Sequence, residues 1–536
     1  MFKNYLKITI RNLLKYKGYS SINFFGLAFS MALCMVMLLF VKEQISRDHF
    51  HENRDRIYRV ISHVQFKSNK MDLATSPKRI GTVLKENYTG IDKLVTMKRL
   101  NTVGTAAERA FTVRGLYTEP AFFELFSFQL LHGDPKTALA SPNSVVLSFE
   151  KAQAFFGDQN PIGQSITLKD AGDFIVTGVV DKQTQRTHLQ FDALLPFAAL
   201  PAAEAQQTQV QEWTSSVFRY FNYFLLEKGA HPEQIERSLS EIAAAHYPET
   251  LPGKYAFSLQ ALTDINLGPN LSNKIGSKAP NELVYAMAAL VLIVMLTACF
   301  NYVNLTVARA LKRSLELGVR RVIGAGRWHI VRQLLSESVF FALASALVAF
   351  VLLDWLVPAF NGLSMISENL QIRPEALGGA EIYILFFGFA VAVGVLAGIY
   401  PALYLSKARP VAALHGLGSQ KRPSALSLRK TLLVVQFALS FIFIAFTLQL
   451  QQQVEYMLSE DYGFNREHII NVELQETVSY EIFRNEALKL PEVIEVSATS
   501  ILPVSGEQES TVFQSRHLEK QVGMHYYAVN ENFATN

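Results

Sequence analysis

Five apolar runs, each about twenty residues long, constrain this chain more than anything else in it. They cover Ile22–Val41, Leu283–Val303, Val331–Leu353, Ile382–Leu405 and Leu432–Leu450. A helix of that length crosses the ~30 Å hydrocarbon core of a bilayer, and a helix satisfies its own backbone hydrogen bonds there. The runs therefore read as five transmembrane helices. A signal peptide is the competing reading for the first. It is longer than a usual signal core, no small-x-small cleavage site follows it, and Leu33 before Cys34 argues against lipoprotein processing. It reads as an anchor.

Positive charge is segregated at one end of these runs. Residues 2–20 hold Lys3, Lys7, Arg11, Lys15 and Lys17 and no acid. Residues 306–332 hold Arg309, Lys312, Arg313, Arg320, Arg321, Arg327 and Arg332 against Glu316 alone. Residues 406–430 hold Lys407, Arg409, Lys421, Arg422, Arg429 and Lys430, again with no acid. The positive-inside rule makes all three cytoplasmic. The loop after the third span carries Asp354, Glu368, Glu375 and Glu381 against Arg373, as an outside loop would. The N-terminus is then inside, and residues 43–282 form a large exported domain.

Apolar residues make up 50% of the chain and charged residues 18%, fitting a membrane protein with a soluble part. The net charge of +4 hides the segregation, so nucleic acid is not implied as a partner. The two cysteines, Cys34 and Cys299, both fall inside spans, so the exported domain has no disulfide and relies on its own core. In the N-terminal segment Leu6, Ile10, Leu13 and Leu14 share a helical stripe. It is either a helix lying on the inner leaflet or an extension of the first span.

The exported domain mixes strand and helix patterns and reads as α+β, in two subdomains. Strands are expected at Arg56–Phe66 and at Ser165–Leu168 and Phe174–Val180, the last two as a hairpin or meander, and Ser144–Phe156 reads as a strand leading into a helix. A helix is expected from Pro232 to Ala245, with Pro232 in its first turn and Ile235, Leu239 and Ile242 on one face. Asp48, His49, His51 and Glu52 invite a metal reading, but no second cluster completes a ligand set, and a polar juxtamembrane stalk explains them better. The chain has no nucleophile elbow, no HExxH and no GxxxxGK[ST] phosphate loop.

The stretch Ala308–Ser338 carries the most specific pattern. Leu311, Leu315, Val319 and Val322 fall on one helical face, Glu316 and Arg320 pair at i,i+4 on another, and Gly324 and Gly326 break the helix before the third span. Such a helix, lying along the membrane between two spans, offers a grip to a partner protein. Its arginines would equally meet anionic lipid.

Here the chain resembles a known family. Glu316-Leu-Gly318-Val-Arg320-Arg321-Val-Ile-Gly324-Ala325 is similar to the E-[IL]-G-[VI]-R-[KR]-x-[LIV]-G-A signature of FtsX-like/MacB-like ABC transporter permeases, with Leu317 where Ile is more usual. Asn301-Tyr-Val-Asn304-Leu, Gly398-Ile-Tyr400-Pro401-Ala, Leu405-Ser406 and Arg409-Pro410-Val-Ala-Ala-Leu414 resemble the family's span exits, and Phe156-Gly157-Asp-Gln-Asn-Pro161-Ile-Gly163 resembles its FG-x(3)-PIG turn. The resemblance implies an α-helical multi-pass membrane domain with a large α+β periplasmic domain. The expected boundaries are a cytoplasmic segment 1–20, a first transmembrane helix 21–42, a MacB-like core domain 43–282 and an FtsX-like permease domain 283–415. A cytoplasmic linker 416–430, a fifth transmembrane helix 431–451 and the start of a second periplasmic domain 452–536 follow. It also implies that a helix near 314–323 couples to a separate ABC ATPase, through Glu316, Gly318, Arg320, Arg321, Gly324 and Ala325. That ATPase would bind the ATP, and this chain would itself hold no cofactor or metal and catalyse nothing. ATP-driven motion would pass along the helices to the periplasm, a process called mechanotransmission, serving export, efflux or lipoprotein handling. Partners so implied are the ATPase, membrane lipids, and a periplasmic adaptor or outer-membrane channel.

The chain also repeats itself at a shift of about 410 residues. Gly26-Leu-Ala28-Phe-Ser30 aligns with Gln436-Phe-Ala438-Leu-Ser440, Ile57 and Val60 with Ile469 and Val472, and Glu119-Pro-Ala-Phe122 with Asn530-Glu-Asn-Phe533. This leads to the expectation of a C-terminally truncated chain whose full form is a pseudo-dimer of two fused halves. The alternative function is a membrane-anchored regulator or receptor acting on a periplasmic partner without transport. A secondary transporter fits less well, because no acid or base lies near the middle of any span.

Overall fold

The computed structural model describes residues 17–66, 69–106, 109–169, 171–181, 187–200, 212–213, 215–247, 253–276, 278–308, 319, 323–324, 326–363, 371–372, 379–406, 423–460, 468–472, 474, 478–502, 509–514 and 521–534. The chain forms two compact units, Met1–Ser440 and Phe441–Asn536.

The first unit begins with α1 (Lys17–Ile45). The soluble head follows: β1 (Ile57–Phe66), β2 (Asn69–Leu73), α2 (Lys78–Asn87), β3 (Ile91–Ala106), β4 (Arg109–Thr118), α3 (Phe122–Leu125), β5 (Leu130–His132), β6 (Ser144–Leu147), α4 (Phe149–Phe156), β7 (Ser165–Leu168), β8 (Gly172–Val180), β9 (Ala193–Pro196), β10 (Tyr220–Leu226), α5 (Pro232–His246) and β11 (Lys254–Ala261). Three long helices then return to the membrane: α6 (Asn281–Ala308), α7 (Arg327–Asn361) and α8 (Ala380–Leu405). A fourth long helix, α9 (Pro423–Ser459), follows.

Among the described residues, five helices are long and apolar enough to cross a membrane, over Ser21–Ile45, Asn281–Val307, Arg327–Asn361, Ala380–Leu405 and Arg429–Ser459. Each contains one expected apolar run and overshoots it, because polar residues at the ends continue the helix past the hydrocarbon. Helices α1, α6, α7 and α8 pack around a common core that includes Met31, Met35, Leu39, Met295, Phe341, Leu353, Phe386 and Ala390. Gly394 and Gly398, one turn apart on α8, let it lie against α7. A Cβ at Gly394 would sit 2.6 Å from Val339 Cα, and one at Gly398 would sit 2.6 Å from Ser338 Cβ. Small residues at this spacing let membrane helices approach closely.

The head is one eleven-stranded sheet in the order β11-β1-β10-β3-β4-β9-β6-β8-β5, with β2 on β1 and β7 joining β3 to β8. Pairings are antiparallel except β4 with β9 and β6 with β8. The two expected subdomains appear as two helix-backed cores sharing this sheet. One packs α2 and α5 against β1 and β10. The other packs α4 against β7, β8 and β9. Between them lies an aromatic core with Phe122, Phe126, Phe128, Phe191 and Tyr223. The strands and helices expected from pattern occur where placed: β1, β6 into α4, the β7–β8 hairpin, and α5. Local chemistry explains them. Ser148 caps α4 by accepting from Lys151 N at 3.2 Å, and Gly157 and Gly163 of the following turn take φ of 62° and 82°, which glycine adopts freely. On the sheet, His63 of β1 ties β2 and β11 together, with Nδ1 2.7 Å from Asp72 and Nε2 2.8 Å from Ser258.

In the second unit, α10 (Tyr480–Ala487) precedes a hairpin of β12 (Glu509–Gln514) and β13 (Gln521–Tyr526), followed by a short turn of helix at Glu531–Ala534. In the first unit the β3–β4 hairpin is likewise followed by the short helix α3. Asn530 accepts from Ala498 N at 3.0 Å and donates to Tyr480 Oη at 2.6 Å, knitting this unit together.

Candidate functional site

The residues most closely tied together lie where α1 leaves the membrane and the head begins. Eight residues separate the end of α1 from the short helical turn Arg54–Arg56 that leads into β1, and Asp48 among them takes a φ of 62°. That left-handed backbone is costly for a residue with a side chain, though least so for Asp and Asn. It turns the chain sharply and aims the carboxylate inward.

Asp48 is 1% exposed. Its Oδ1 accepts from Thr187 Oγ1 at 2.6 Å, and both of its oxygens lie 3.2 Å from the backbone N–H of His188. His188 Nδ1 stands 3.0 Å from Oδ2, an ion-pair distance off the hydrogen-bond direction. His188 Nε2 lies 2.8 Å from the Tyr223 hydroxyl of β10. His51 Nε2 is 3.7 Å from Oδ1 on another side. His51 Nδ1 accepts from Ser127 N at 3.1 Å, so its proton sits on Nε2, facing the carboxylate. Burial opposes a charge on Asp48, but the adjacent His188 and the bonds from His188, His51 and Thr187 outweigh it and hold the carboxyl well below the usual carboxylate range.

Neighbouring contacts extend the anchorage. Glu52 N donates to Ser127 Oγ at 2.9 Å, and Arg54 Nη1 to His49 O at 2.8 Å. Arg56 donates to Leu226 O at 2.8 Å and to Asn53 Oδ1 at 2.6 Å. The Asn266 amide, on the segment that leads back to α6, donates to Gln44 O near the end of α1. The His51 ring packs among Phe50, Phe126 and Phe128. The foot of α1 is thus bonded to the loop after α3, the loop before β9, strand β10 and the segment before α6.

This corrects the reading of the cluster as a polar juxtamembrane stalk for two of its four residues, while His49 is half-buried and Glu52 exposed. The cluster is juxtamembrane, but Asp48 and His51 are fully buried, because segments far away in sequence close over them. Thr187, His188 and Ser127 are the partners that local sequence could not supply. Among the described residues no group of three or more His, Cys, Asp or Glu is arranged to hold a metal ion.

Of the coupling residues expected from sequence, Glu316, Gly318, Arg320, Arg321 and Ala325 lie outside the described residues. Gly324 is described. Its φ of 101° lets the chain turn before α7, which starts after an N-cap at Gly326. Val319 is helical, and Ile323 N bonds its carbonyl at 3.1 Å. Ile323 is 80% exposed and Trp328, in the first turn of α7, is 68% exposed. Trp328 was not singled out by sequence pattern, because an aromatic at the start of a span is ordinary interfacial chemistry.

Two family models match this chain. The MacB-like periplasmic core domain covers residues 20–242, and the FtsX-like permease C-terminal covers 288–410. Among similar proteins, the macrolide export ATP-binding/permease protein MacB of Bdellovibrio bacteriovorus is 26% identical over 279 residues, which is 50% of this chain and 38% of that protein. The pyoverdine export ATP-binding/permease protein PvdT of Pseudomonas syringae pv. syringae is 25% identical over 304 residues, 55% of this chain and 41% of that protein. The chain thus spans about two fifths of the length of these relatives. Among solved structures, the periplasmic region of MacB from Actinobacillus actinomycetemcomitans aligns at 14% identity and a TM-score of 0.29, over 38% of this chain and 88% of that one.

Proposed function

We propose, from the premise that this chain belongs to the FtsX-like/MacB-like ABC transporter permease family, that it is the permease part of an ABC system and works by mechanotransmission. A separate ATPase docks on the cytoplasmic loop before α7. Its ATP-driven closure displaces α6 and α7. The bundle carries that displacement through α1 to a periplasmic head, which performs export or efflux with further periplasmic partners. The N-terminus is cytoplasmic, and this chain binds no nucleotide itself.

One observation carries the reading: α1 enters the head through a buried, hydrogen-bonded junction centred on Asp48. A helix joined to a head by a slack linker would dissipate a push. One bonded on four sides transmits it. The exposed Ile323 and Trp328 beside the loop supply apolar surface of the kind that anchors protein interfaces.

The test uses the full chain with a separate ABC ATPase from the same organism. Gly318→Trp, Glu316→Ala, Arg320→Ala and Trp328→Ala should each reduce ATPase co-purification while the head stays folded. Asp48→Asn should leave co-purification intact but reduce the ATP-dependent change in distance between spin labels on the head and on α7. Full capture of the ATPase by Gly318→Trp would remove the docking assignment. An unaltered distance change in Asp48→Asn would remove the transmission role of the junction.

A further inference from the structure

A second feature lies beside the junction and shares His188 with it. A small cavity is lined by Arg59 and His188 on one side and by Ile265, Asn266, Pro269, Leu271, Lys274 and Lys278 on the other. Arg59 belongs to β1, the strand fed by α1. The lysines belong to the segment that leads into α6. The cavity therefore sits between the head's two connections to the membrane.

Its charge is unbalanced. Arg59 is 2% exposed. Its Nε and Nη2 both donate to one neutral acceptor, Gln260 Oε1, at 2.9 and 2.7 Å. Its Nη1 has no hydrogen-bond partner among the described residues. Lys274 Nζ donates to Asn270 Oδ1 at 2.8 Å, and Lys278 Nζ to Gly268 O at 2.6 Å and Pro269 O at 3.3 Å, all neutral acceptors. No carboxylate among the described residues forms an ion pair with any of the three. The buried Asp48 of the adjoining junction makes no ion pair with Arg59, though the charges of both act on His188 and Tyr223, and its one negative charge leaves the three cations in excess. Glu282, at the start of α6, is felt by Lys278 from beyond ion-pair distance. Burial depresses the proton affinity of both lysines, with Arg59 adding to it. A buried guanidinium with no counter-charge is expensive, and the expense falls when an anion meets it.

We propose that this cavity binds a single halide-class anion, which bridges Arg59 of β1 to Lys274 and Lys278 of the segment before α6. Size decides the class. The cavity volume is about 10 Å³, on the scale of one water-sized group. A monoatomic ion, somewhat larger than water, needs the partly exposed lysines to draw back a little, and a phosphate or a carboxylic acid needs them to move further. The bound ion clamps the outgoing and returning chains of the head against each other, so the stiffness of the junction follows the halide concentration outside the membrane.

The experiment uses the full chain purified in detergent, melted at equal ionic strength in sodium chloride, sodium bromide, sodium gluconate and sodium phosphate. The expected result is a saturable rise in melting temperature with chloride and bromide over gluconate. Lys278→Met and Lys274→Met, at partly exposed positions that tolerate substitution, should shift half-saturation several-fold upward. Lys228→Met, on an exposed turn elsewhere in the head, should leave it unchanged. Arg59→Met should abolish the response if it folds, and the lysine variants decide the matter if it does not. Equal melting in all four salts overturns the proposal. So does a halide response that Lys278→Met leaves untouched, and so does stabilisation by phosphate alone.

Discussion

Asp48 concentrates the argument in one residue. Its carboxylate is buried, accepts two kinds of hydrogen bond and faces two imidazoles. Asp48→Asn keeps the shape and removes the charge, so it should lower stability at neutral pH by about 1.5–3 kcal/mol, the scale of hydrogen bonds to a charged group. The sign of the pH dependence follows from the direction of the shift. The folded carboxyl titrates below its unfolded value of about 3.9. The unfolded state thus binds more protons as pH drops past that value, and the Asp48 contribution, complete above it, is lost as pH falls through the folded value. Acid melting curves of Asp48→Asn should be shallower than those of the parent in that range. Parallel curves would mean that other carboxylates set the acid limit. Little of this was legible in sequence. The cluster was visible as polar residues after a span, but its partners lie up to 140 positions away, and burial is a property of the closed fold.

Helices and strands were far more readable, because each carries its own periodicity. The five spans announced themselves by length and apolarity, β1 by its strand pattern, and α5 by its apolar face and leading proline. Strand order was not legible. The parallel pairs β4–β9 and β6–β8 join segments separated by other strands, and nothing local records such partners. The coupling signature was legible only as a resemblance, and most of it lies outside the described residues. At this scale the fit of α8 on α7 gives a clean test. Gly398→Leu drives a side chain into Ser338, already 2.6 Å from where a Cβ would stand. Overpacking of this kind costs about 1–3 kcal/mol, and the purified variant should melt earlier than Gly388→Leu, whose position is open. Equal melting of the two would show that α7 and α8 yield to each other.

At the scale of the molecule, the membrane bundle and the head are built from one interrupted stretch of chain. Helices α1 and α6 pack together in the helical bundle, and the entire head is spliced between them. The Asn266–Gln44 bond shows that the two cut ends of the splice meet near the end of α1. A segment whose ends already touch imposes little loop-closure entropy on its host, and that entropy grows only slowly with the length inserted. The head is therefore an exchangeable cassette. Removing 46–280 and rejoining α1 to α6 through a short glycine-serine turn should leave a helical protein that still inserts in membranes and still captures the ATPase. Loss of insertion would show that the head helps to fold its host. The same geometry explains how such a bundle could acquire heads of different chemistry without redesigning its membrane core: evolution needs to preserve only the two touching ends.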